Sequence, residues 1–386
     1  MNSVIIISDS YHPEKTSCAK LLKDLTDELL KRNKRVTILT TGKENQFVRK
    51  KNLHIIKSKV PFIQSQNFII KFIGEIVMPY IFIKNYSKNI NYSSDLLICY
   101  SPSIFFKPVI DKVKLFPNSK KLLLIRDIFP DWLVDAKILS KNSFRYKLLK
   151  YFQINFYNSF DILCPQSDYD KKYIEKIAIK KNVLTIKNWI KLKSDKKKNI
   201  QEKKNKKIIF GGNIGIGQDM NFIIELVKVL NLNYEKFKFY LVGTGRGMKQ
   251  IKYVLKKNEL KNFYVYKKLS QRNYVNFLNS FDLGVISLNK NINFSNFPGK
   301  LLTYLESNLP IIAYCSKNIE LYKFIRKNKI GISTDSYKPI KILNSLKKIL
   351  NNKTYKKRNF YIKSQKILKK EFSVEKTVKR ILEITN

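Results

Sequence analysis

The sequence predicts two α/β domains, each built on a doubly wound parallel sheet. Its length of 386 residues is enough for about two domains that each bury a core. Short runs of β-branched and aliphatic residues alternate with segments whose apolar residues have helical spacing. A highly charged stretch, Lys191–Lys207, separates two such series and is typical of a solvated linker.

Five buried-strand runs predict the first domain, over residues 1–190. A helical pattern with leucines on one face lies between the first two runs and completes a strand–helix–strand unit. The five runs are Val4–Ser8, Val36–Thr40, Leu96–Tyr100, Lys121–Ile125 and Asp161–Cys164.

Five more runs predict the second domain, over residues 208–360, with residues 191–207 as the linker. They are Ile208–Phe210, Phe239–Val242, Phe263–Tyr266, Leu283–Ser287 and Ile311–Ala313. Residues 361–386 have helical apolar spacing and are expected to pack back on the first domain. Two such domains are expected to face each other across a cleft at the carboxyl ends of their strands.

The chain is strongly basic, with 76 Lys and Arg against 29 Asp and Glu and a formal net charge of +47. Such a field attracts polyanions, including nucleic acid and anionic lipid. The sequence is also rich in Lys, Asn and Ile, the pattern of an AT-rich genome. We therefore attribute most of the charge to compositional bias, with attraction to a membrane surface as a secondary consequence. No aromatic RNA-binding strand or helix-turn-helix pattern supports nucleic-acid binding.

Cysteine and histidine usage argues against disulfide and metal sites. The four cysteines lie far apart without a Cys-x-x-Cys pair, and the chain has two histidines. We expect reduced thiols, a cytoplasmic location and no metal. Asp168-Tyr-Asp170 matches a metal-binding Asp-x-Asp pattern, but it opens an amphipathic helix. An N-cap role for Ser167 or Asp168 is the simpler interpretation.

The chain is not expected to cross a membrane. Its N-terminus lacks the basic region and the long apolar run of a signal peptide. The most apolar longer segment, Phe68–Ile83, contains Lys71, Glu75 and Pro79 and falls short of the roughly 20 uncharged residues that a span needs. The segment 68–86 is a candidate for the lipid interface, with a core helix or a dimer contact as equally good alternatives.

The sharpest local motif is the glycine-rich segment Phe210–Asp219, which follows a predicted strand and precedes a helix. Gly212 and Gly215 would let backbone amides approach a phosphate, aided by the positive end of the next helix dipole. The spacing matches neither a Walker A motif nor the dinucleotide fingerprint, and a tight turn is the alternative. The position between strand and helix favours phosphate binding.

Two further motifs in the second domain suit the same chemistry. Gly243, in Val242-Gly-Thr-Gly, indicates a turn near a nucleotide or a purely structural turn with equal weight. Lys300, in Pro298-Gly-Lys, lies in the first turn of a predicted helix, where an ammonium and free amides would stabilise a diphosphate leaving group. A surface lysine is the alternative in so lysine-rich a chain.

Arg126 and Asp127 follow a predicted strand of the first domain, where α/β folds place functional groups. Asp127 is a candidate to accept the proton of a substrate hydroxyl, and Arg126 to hold phosphate or position that carboxylate. A structural Arg–Asp pair or a helix cap explains them equally well.

Taken in order, these motifs resemble the retaining family 4 glycosyltransferases of the GT-B fold. Within that family the chain is similar to the branch that includes bacterial surface-polysaccharide L-fucosamine (N-acetyl-L-fucosamine) transferases. The motifs that carry the resemblance, through nearly the whole chain, are Tyr11-His-Pro-Glu, Tyr100-Ser-Pro-Ser, Arg126-Asp-Ile-Phe-Pro-Asp, Asn188-Trp-Ile, Gly212-Asn-Ile-Gly, Val242-Gly-Thr-Gly, Asn296-Phe-Pro-Gly-Lys-Leu-Leu-Thr-Tyr, Leu309-Pro-Ile-Ile-Ala and Glu371-Phe-Ser-Val-Glu.

The resemblance implies a nucleotide-sugar donor in the second domain and an acceptor in the first. The implied donor contacts include the diphosphate-binding residues, a residue of a base pocket at 266–269, and residues around the Pro-Gly-Lys turn: Gly212, Asn213, Gly215, Gly243, Lys268, Ser295, Phe297, Pro298, Gly299, Lys300 and Thr303. The implied acceptor contacts are Glu14, Thr16 and Ser101. The implied catalytic residues are Asp127, Arg126 and Lys300.

The sequence departs from the family pattern in three respects. Ser295 and Thr303 stand where many members have two glutamates, and the Thr303 hydroxyl offers the ribose a weaker hydrogen bond. Asn213 lacks the usual basic side chain, so neutralisation of the phosphate falls to Lys300. Arg126 stands where many relatives place a histidine.

The resemblance implies a retaining, metal-independent transferase without a cofactor. It would move a sugar, L-fucosamine as the first choice, from a UDP donor to a lipid-linked saccharide at the inner face of the plasma membrane, for O-antigen, capsule or another surface polysaccharide. A nucleotide-sugar 2-epimerase of the same fold is the nearest alternative, and the few histidines and carboxylates of the second-domain motifs argue against it. A basic nucleic-acid-binding protein and a catalytically inactive scaffold are the others.

Overall fold

The computed structural model describes the chain except residues 15, 64, 66, 102, 179–180, 193–205, 234–236, 246, 258–261, 268, 270, 292–296, 352–354, 356 and 386. It separates into two compact units, Met1–Lys191 with Val374–Asn386, and Leu192–Ser373. Most of the predicted linker lies outside the described residues. Among the described helices, none combines the length and the hydropathy that crossing a bilayer requires.

The first unit contains one sheet of eight strands. They are β1 (Ser3–Ser8), β2 (Arg35–Gly42), β3 (Gln46–Lys50), β4 (Leu53–Lys59), β5 (Ser94–Ser101), β6 (Leu115–Ile125), β7 (Ile162–Cys164) and β8 (Asn182–Val183). Their order is β3-β4-β2-β1-β5-β6-β7-β8, and every pair is parallel except β3 with β4. All six residues of β1 are buried, which explains its continuous apolar sequence.

Hydroxyl side chains begin three of the helices in this unit. The helices are α1 (Ser17–Lys31), α2 (Phe68–Asn89), α3 (Lys107–Lys112), α4 (Asp131–Asp135), α5 (Phe144–Asn158) and α6 (Asp168–Ile177). Thr16 caps α1 and Ser143 caps α5. The Ser167 hydroxyl accepts from the Asp170 N–H at 3.0 Å, so the Asp-x-Asp pattern is the capped first turn of α6.

The second unit contains a fully parallel sheet of six strands. They are β9 (Lys206–Asn213), β10 (Phe237–Thr244), β11 (Phe263–Tyr266), β12 (Leu283–Ser287), β13 (Ile311–Tyr314) and β14 (Gly331–Thr334). Their order is β11-β10-β9-β12-β13-β14. The helices are α7 (Met220–Asn233), α8 (Met248–Lys257), α9 (Gln271–Leu278), α10 (Gly299–Glu306), α11 (Glu320–Lys327), α12 (Pro339–Asn351) and α13 (Lys357–Glu371).

The C-terminal segment, predicted as one helix from residue 361, consists of two helices that belong to different units. α13 packs against α10 in the second unit. The last helix, α14 (Val374–Thr385), packs against α1, with Val374, Val378 and Ile381 in the core of the first unit. The chain passes from the second unit to the first just after Phe372, whose ring is fully buried against Phe324 in the second unit.

Four strands in the structure were not predicted, namely β3, β4, β8 and β14. Three of them form sheet edges, and β4 lies next to an edge. β3 is mostly exposed, β4 alternates between buried and half-exposed residues, and β8 has two residues. β14 is mostly buried, but it has one aliphatic residue, Ile332, so none of the four has the continuous apolar run of a central strand.

Candidate functional site

The last residues of β9 and the turn that follows them expose glycine backbone at the carboxyl end of the second sheet. Gly212 has a φ of +121°, a conformation that favours glycine. A Cβ on Gly243 would lie 1.9 Å from the Gly212 carbonyl oxygen, because the ends of β9 and β10 are paired in register. Close backbone packing therefore requires Gly243, and its place near a nucleotide stays a prediction.

Lys300 reaches this turn from the first turn of α10. A Cβ on Gly212 would lie 2.8 Å from Lys300 Cε, so the lysine stem lies directly over the glycine. The Lys300 Nζ donates to Gln218 Oε1 and lies 4.0 Å from the centroid of the Phe210 ring. Burial lowers the pKa of Lys300 to about 7. This side chain is therefore not a solvated surface lysine.

The N-terminus of α10 is open beside Lys300. Its N-cap is Pro298, which provides no side-chain acceptor for the first-turn amides. A Cβ on Gly299 would meet no heavy atom of the described residues within 4 Å, and the Thr303 hydroxyl donates back to the Gly299 carbonyl at 3.0 Å. The helix dipole and the Lys300 ammonium thus create positive potential next to Gly212.

Neighbouring strand ends hold the rest of the glycine segment. The Ile214 N–H donates to the Thr244 carbonyl at 3.0 Å, and the Asn289 N–H donates to the Gly217 carbonyl at 3.1 Å. The Asn213 side chain folds over Gly215, where a Cβ would lie 2.9 Å from Asn213 Nδ2. Asn213 and Gly215 lie beside the Gly212 turn, and their contact with a diphosphate stays a prediction.

The structure gives Phe297 a different role from the predicted donor contact. Its ring is buried and packs edge-on against Phe324 and Phe372, with centroid distances of 5.0 and 5.6 Å. Phe297 therefore anchors the start of α10 in the apolar core. Lys268 and Ser295, also predicted donor contacts, lie outside the described residues.

Two residues of this site were not predicted as functional. Gln218 holds the Lys300 amine, a contact that no spacing in the sequence reveals. Tyr304 is fully buried, and its hydroxyl accepts from the Gly211 N–H at 3.1 Å. Because Tyr304 follows Lys300 by four residues, the two side chains lie on one face of α10. This spacing in the sequence could have identified Tyr304 as a neighbour of the site.

Arg126 and Asp127 follow β6, at the carboxyl end of the first sheet. The Arg126 guanidinium donates to the Ser17 hydroxyl at 3.0 Å, and its Nε lies 3.9 Å from Asp127 Oδ2. The two side chains are 33% and 46% exposed. An ion pair this long and this exposed contributes little stability. The catalytic roles of Arg126 and Asp127 stay predictions.

The predicted acceptor residues lie at the same end of the sheet. Glu14 accepts from the Ser10 hydroxyl at 2.6 Å, and Ser10 also contacts the Thr16 hydroxyl at 2.7 Å. The Thr16 hydroxyl additionally caps α1, accepting from the Ala19 N–H at 3.1 Å. Ser101 ends β5 and pairs with Ile125, the residue before Arg126. The three residues thus share this edge with Arg126, and acceptor contact stays a prediction.

Two carboxyl groups at this edge were missed in the sequence. Asp9 directly follows β1, and burial raises its pKa, an effect that Arg126 and Lys71 oppose. Burial also raises the pKa of Glu75, on α2, and Asp9 acts on it in the same direction. Within the described part of the chain, no three His, Cys, Asp or Glu side chains form a group that could hold a metal ion.

A buried ion pair fixes the segment that follows Arg126 and Asp127. Asp131 accepts from Lys150 Nζ at 2.9 Å and from the Tyr146 hydroxyl at 2.9 Å. The Tyr173 hydroxyl donates to the same carboxylate. Asp131, the first residue of α4, thereby joins this helix to α5 and α6.

Comparison with known proteins points to glycosyltransferases. Residues 192–367 match the family model of glycosyl transferases group 1. The probable glycosyltransferase WbjE of Pseudomonas aeruginosa is 24% identical over 233 residues, which are 57% of this chain and 57% of WbjE. The chain therefore spans a little over half the length of the curated relative that it matches.

Solved structures of glycosyltransferases share the fold over the whole chain. WaaG, a glycosyltransferase involved in lipopolysaccharide biosynthesis, matches with a TM-score of 0.66 and 12% identity over 99% of both chains. A variant of TarM from S. aureus, solved with fondaparinux, alpha-GlcNAc-glycerol and UDP, matches with a TM-score of 0.70 and 12% identity over 100% of both. The fold is GT-B, with two α/β units on mainly parallel sheets, as predicted.

Proposed function

We propose that the protein is a glycosyltransferase that takes a sugar from a nucleotide sugar bound at the second unit. The observation that carries this proposal is the position of Lys300, whose side chain lies over the Gly212 backbone at the open N-terminus of α10. The match of residues 192–367 to group 1 glycosyl transferases supports the same activity.

The proposed reaction exchanges one bond at the anomeric carbon of the donor sugar. The bond to the diphosphate oxygen breaks, and a bond to an acceptor oxygen forms. Negative charge grows on the departing diphosphate, where Lys300 and the first-turn amides of α10 would stabilise it. Attack from the face that the diphosphate leaves would retain the configuration.

The acceptor hydroxyl must lose a proton in this reaction. Asp127 is the residue we propose to take it, and the adjacent Arg126 guanidinium would position that carboxylate. Lys300 and the backbone amides at the start of α10 would stabilise the negative charge of the leaving group. We therefore propose transfer without a metal or another cofactor.

For the donor we propose UDP carrying L-fucosamine or N-acetyl-L-fucosamine. The motif resemblance supports this sugar, with Lys268, Ser295 and Thr303 as further donor contacts. For the acceptor we propose a lipid-linked saccharide of a bacterial surface polysaccharide. The fold shared with WaaG, which acts in lipopolysaccharide biosynthesis, is consistent with such a role.

A lipid-linked acceptor requires the enzyme to meet a membrane surface, and α2 with α5 offers a suitable face. Ile69 on α2 is 69% exposed and Phe144 on α5 is 77% exposed. Contacts from Phe72 to Phe105 and from Phe105 to Phe152 join the two helices into one surface. Exposed basic side chains stand near these apolar residues in the sequence, namely Lys71, Lys141, Arg145 and Lys147. We propose that this face adsorbs to anionic lipid.

The proposed donor site is tested by ligand stabilisation of the full chain. UDP, GDP and dTDP sugars are compared by thermal shift, with calorimetry for the dissociation constants. We expect UDP sugars to raise the unfolding midpoint, because a ligand that binds the folded state stabilises it by mass action. Lys300→Ala is expected to weaken UDP binding about 100-fold, since it removes a charge-assisted contact worth roughly 3 kcal/mol.

Lys323→Ala is the matched control, because Lys323 is an exposed lysine on α11 of the same unit. This variant should bind UDP like the unmodified chain. Equal UDP affinity in the Lys300 and Lys323 variants would contradict the assigned site. Turnover of a UDP sugar with a membrane extract would exclude the inactive scaffold, and release of an epimerised nucleotide sugar would favour the epimerase.

A further inference from the structure

The carboxyl edge of the first sheet gathers acidic side chains in a chain that has few of them. Asp9 follows β1, Glu14 precedes α1, Glu75 projects from α2 and Asp127 follows β6; we call these four residues the acidic edge. The chain has 29 acidic residues against 76 basic ones. Four of the 29 acidic residues therefore come from separate places in the sequence to this one edge.

Two cations lie among these carboxylates. Lys71 acts electrostatically on both Asp9 and Glu75. Arg126 acts on Asp9 and lies 3.9 Å from Asp127. Among the described residues, four carboxyl groups and these two cations therefore meet at the acidic edge.

Hydroxyl groups complete the edge. Ser10 donates to Glu14 and contacts the Thr16 hydroxyl, and Ser17 accepts from Arg126. Carboxylate acceptors next to hydroxyls, which both donate and accept, match the hydroxyl groups of a sugar ring.

Tyr100 gives an independent indication that a ligand belongs here. It is 1% exposed near the end of β5, and in the part of the chain that is described its hydroxyl has no hydrogen-bond partner. Arg126, Asp127 and Asp9 all act electrostatically on that hydroxyl, which places it against the acidic edge. A buried hydroxyl without a partner costs stability, so it points to a partner that arrives with a ligand.

We propose that the acidic edge binds the terminal sugar of the acceptor and selects sugars that carry hydroxyl or amino groups over sugars that carry a carboxylate or a phosphate. This inference rests on the proposed function, since it names the acceptor class of the same enzyme. The sugar, directly or through one water molecule, supplies the hydrogen bond that Tyr100 lacks.

The selection follows from charge. A neutral sugar hydroxyl donates to the carboxylates of the acidic edge, and an ammonium does so more strongly because the bond is charge-assisted. A uronate or a sugar phosphate brings a further negative charge against four acidic groups in a partly buried setting, where repulsion is weakly screened. General attraction to a chain of charge +47 predicts the opposite order of affinity.

The test measures binding of methyl glucoside, glucosamine, glucuronate and glucose 6-phosphate to the full chain by saturation-transfer NMR at 0.15 M salt. The expected order is glucosamine, then methyl glucoside, with the two anions at least tenfold weaker. Tyr100→Phe should keep the unfolding midpoint of the free chain or raise it, and should weaken binding of the sugars severalfold.

Tyr86→Phe is the matched control. Tyr86 is equally buried, but its hydroxyl accepts from the Lys114 N–H at 3.1 Å. This variant should lower the unfolding midpoint and leave sugar binding unchanged. Equal or tighter binding of the anions, or sugar binding that survives Tyr100→Phe, would overturn the inference.

UDP stabilisation is read in the same samples and separates the two proposals. If UDP binds and the neutral sugars do not, the acceptor class is wrong while the donor site stands. If the sugars bind in the expected order and UDP does not, the acidic edge stands as a sugar site and the transferase proposal fails.

Discussion

The two sheets end in opposite chemistry, although both belong to doubly wound α/β units. In the second unit, positive potential comes from one lysine and from backbone amides around Gly212 and the start of α10. In the first unit, side chains from three separate segments form the acidic edge, namely the β1–α1 connection, α2 and the residues after β6, and Arg126 lies among them. The difference suits a reaction whose leaving group is anionic and whose acceptor contributes a neutral hydroxyl.

The largest loss of stability is expected when the buried ion pair behind Arg126 and Asp127 is removed. Asp131→Ala leaves Lys150 buried without its carboxylate partner, and Tyr146 and Tyr173 lose the same acceptor. Removing one member of a buried ion pair is expected to lower the free energy of unfolding by about 3–5 kcal/mol. Chemical denaturation measures the loss. Exposed Asp111→Ala, next to Lys107, is the control and should cost less than about 1 kcal/mol.

A pair of glycine substitutions probes the backbone of the second site. Gly212→Ala forces a side chain into a φ of +121° and within 2.8 Å of Lys300 Cε, so we expect a loss of about 1–3 kcal/mol of stability together with weaker UDP binding. Gly299→Ala has no neighbour within 4 Å among the described residues, so stability should change by less than about 0.5 kcal/mol.

The informative result is UDP binding by the Gly299 variant. If the diphosphate lies against the first turn of α10, the added methyl group obstructs it and the affinity falls without a loss of stability. Calorimetry that finds normal UDP affinity in both glycine variants would place the diphosphate elsewhere.

The pH dependence of UDP binding tests whether Lys300 is protonated when the diphosphate binds. Burial lowers its pKa to about 7 in the free chain, so above that pH the bound diphosphate must draw a proton onto the amine. Between pH 7 and 9 the affinity is therefore expected to fall by up to tenfold, or about 1.4 kcal/mol, per pH unit. Lys300→Arg stays protonated throughout and should remove this slope. An equal slope in both proteins would assign the titration to another group.

The smallest change in free energy is expected at the face of α2 and α5 that we propose adsorbs to lipid. Leu148 is 44% exposed on α5, and its replacement by Ser should weaken adsorption to anionic vesicles by roughly 1 kcal/mol, or about fivefold. Leu232→Ser is the control, because Leu232 is 83% exposed on α7 of the second unit. Vesicle flotation measures both. Equal losses in the two variants would show that adsorption does not depend on this face.

The arrangement of Gly212, Pro298 and Lys300 was easier to predict from the sequence than the acidic edge. Gly212, Pro298 and Lys300 stand in short local motifs, because a glycine turn and a helix start are set by neighbouring residues. Asp9 and Glu75 are 66 positions apart, and only tertiary packing brings them into interaction. In the sequence Asp9 is one residue of a turn, and Glu75 counts only as a charge that interrupts an apolar segment.

In the fold, too, elements with a clear local sequence pattern were predicted and those without one were missed. Central strands such as β1 and β12 are buried throughout, so continuous apolar runs predicted them. Edge strands such as β3 and β14 lack such runs and were missed. The tail was predicted as one helix because its apolar spacing continues through residue 372. The structure divides it there, because the Phe372 ring is buried in the second unit and Val374 is buried in the first.

A crystal structure of the chain with UDP would show whether Lys300 binds the diphosphate. We expect a phosphate oxygen within about 3 Å of Lys300 Nζ, with the diphosphate against the Gly212 turn and the first turn of α10. In that complex Gln218 is displaced from the Lys300 amine or shares it with the phosphate. A diphosphate bound away from Lys300, with the Lys300–Gln218 contact intact, would show that Lys300 does not bind the leaving group.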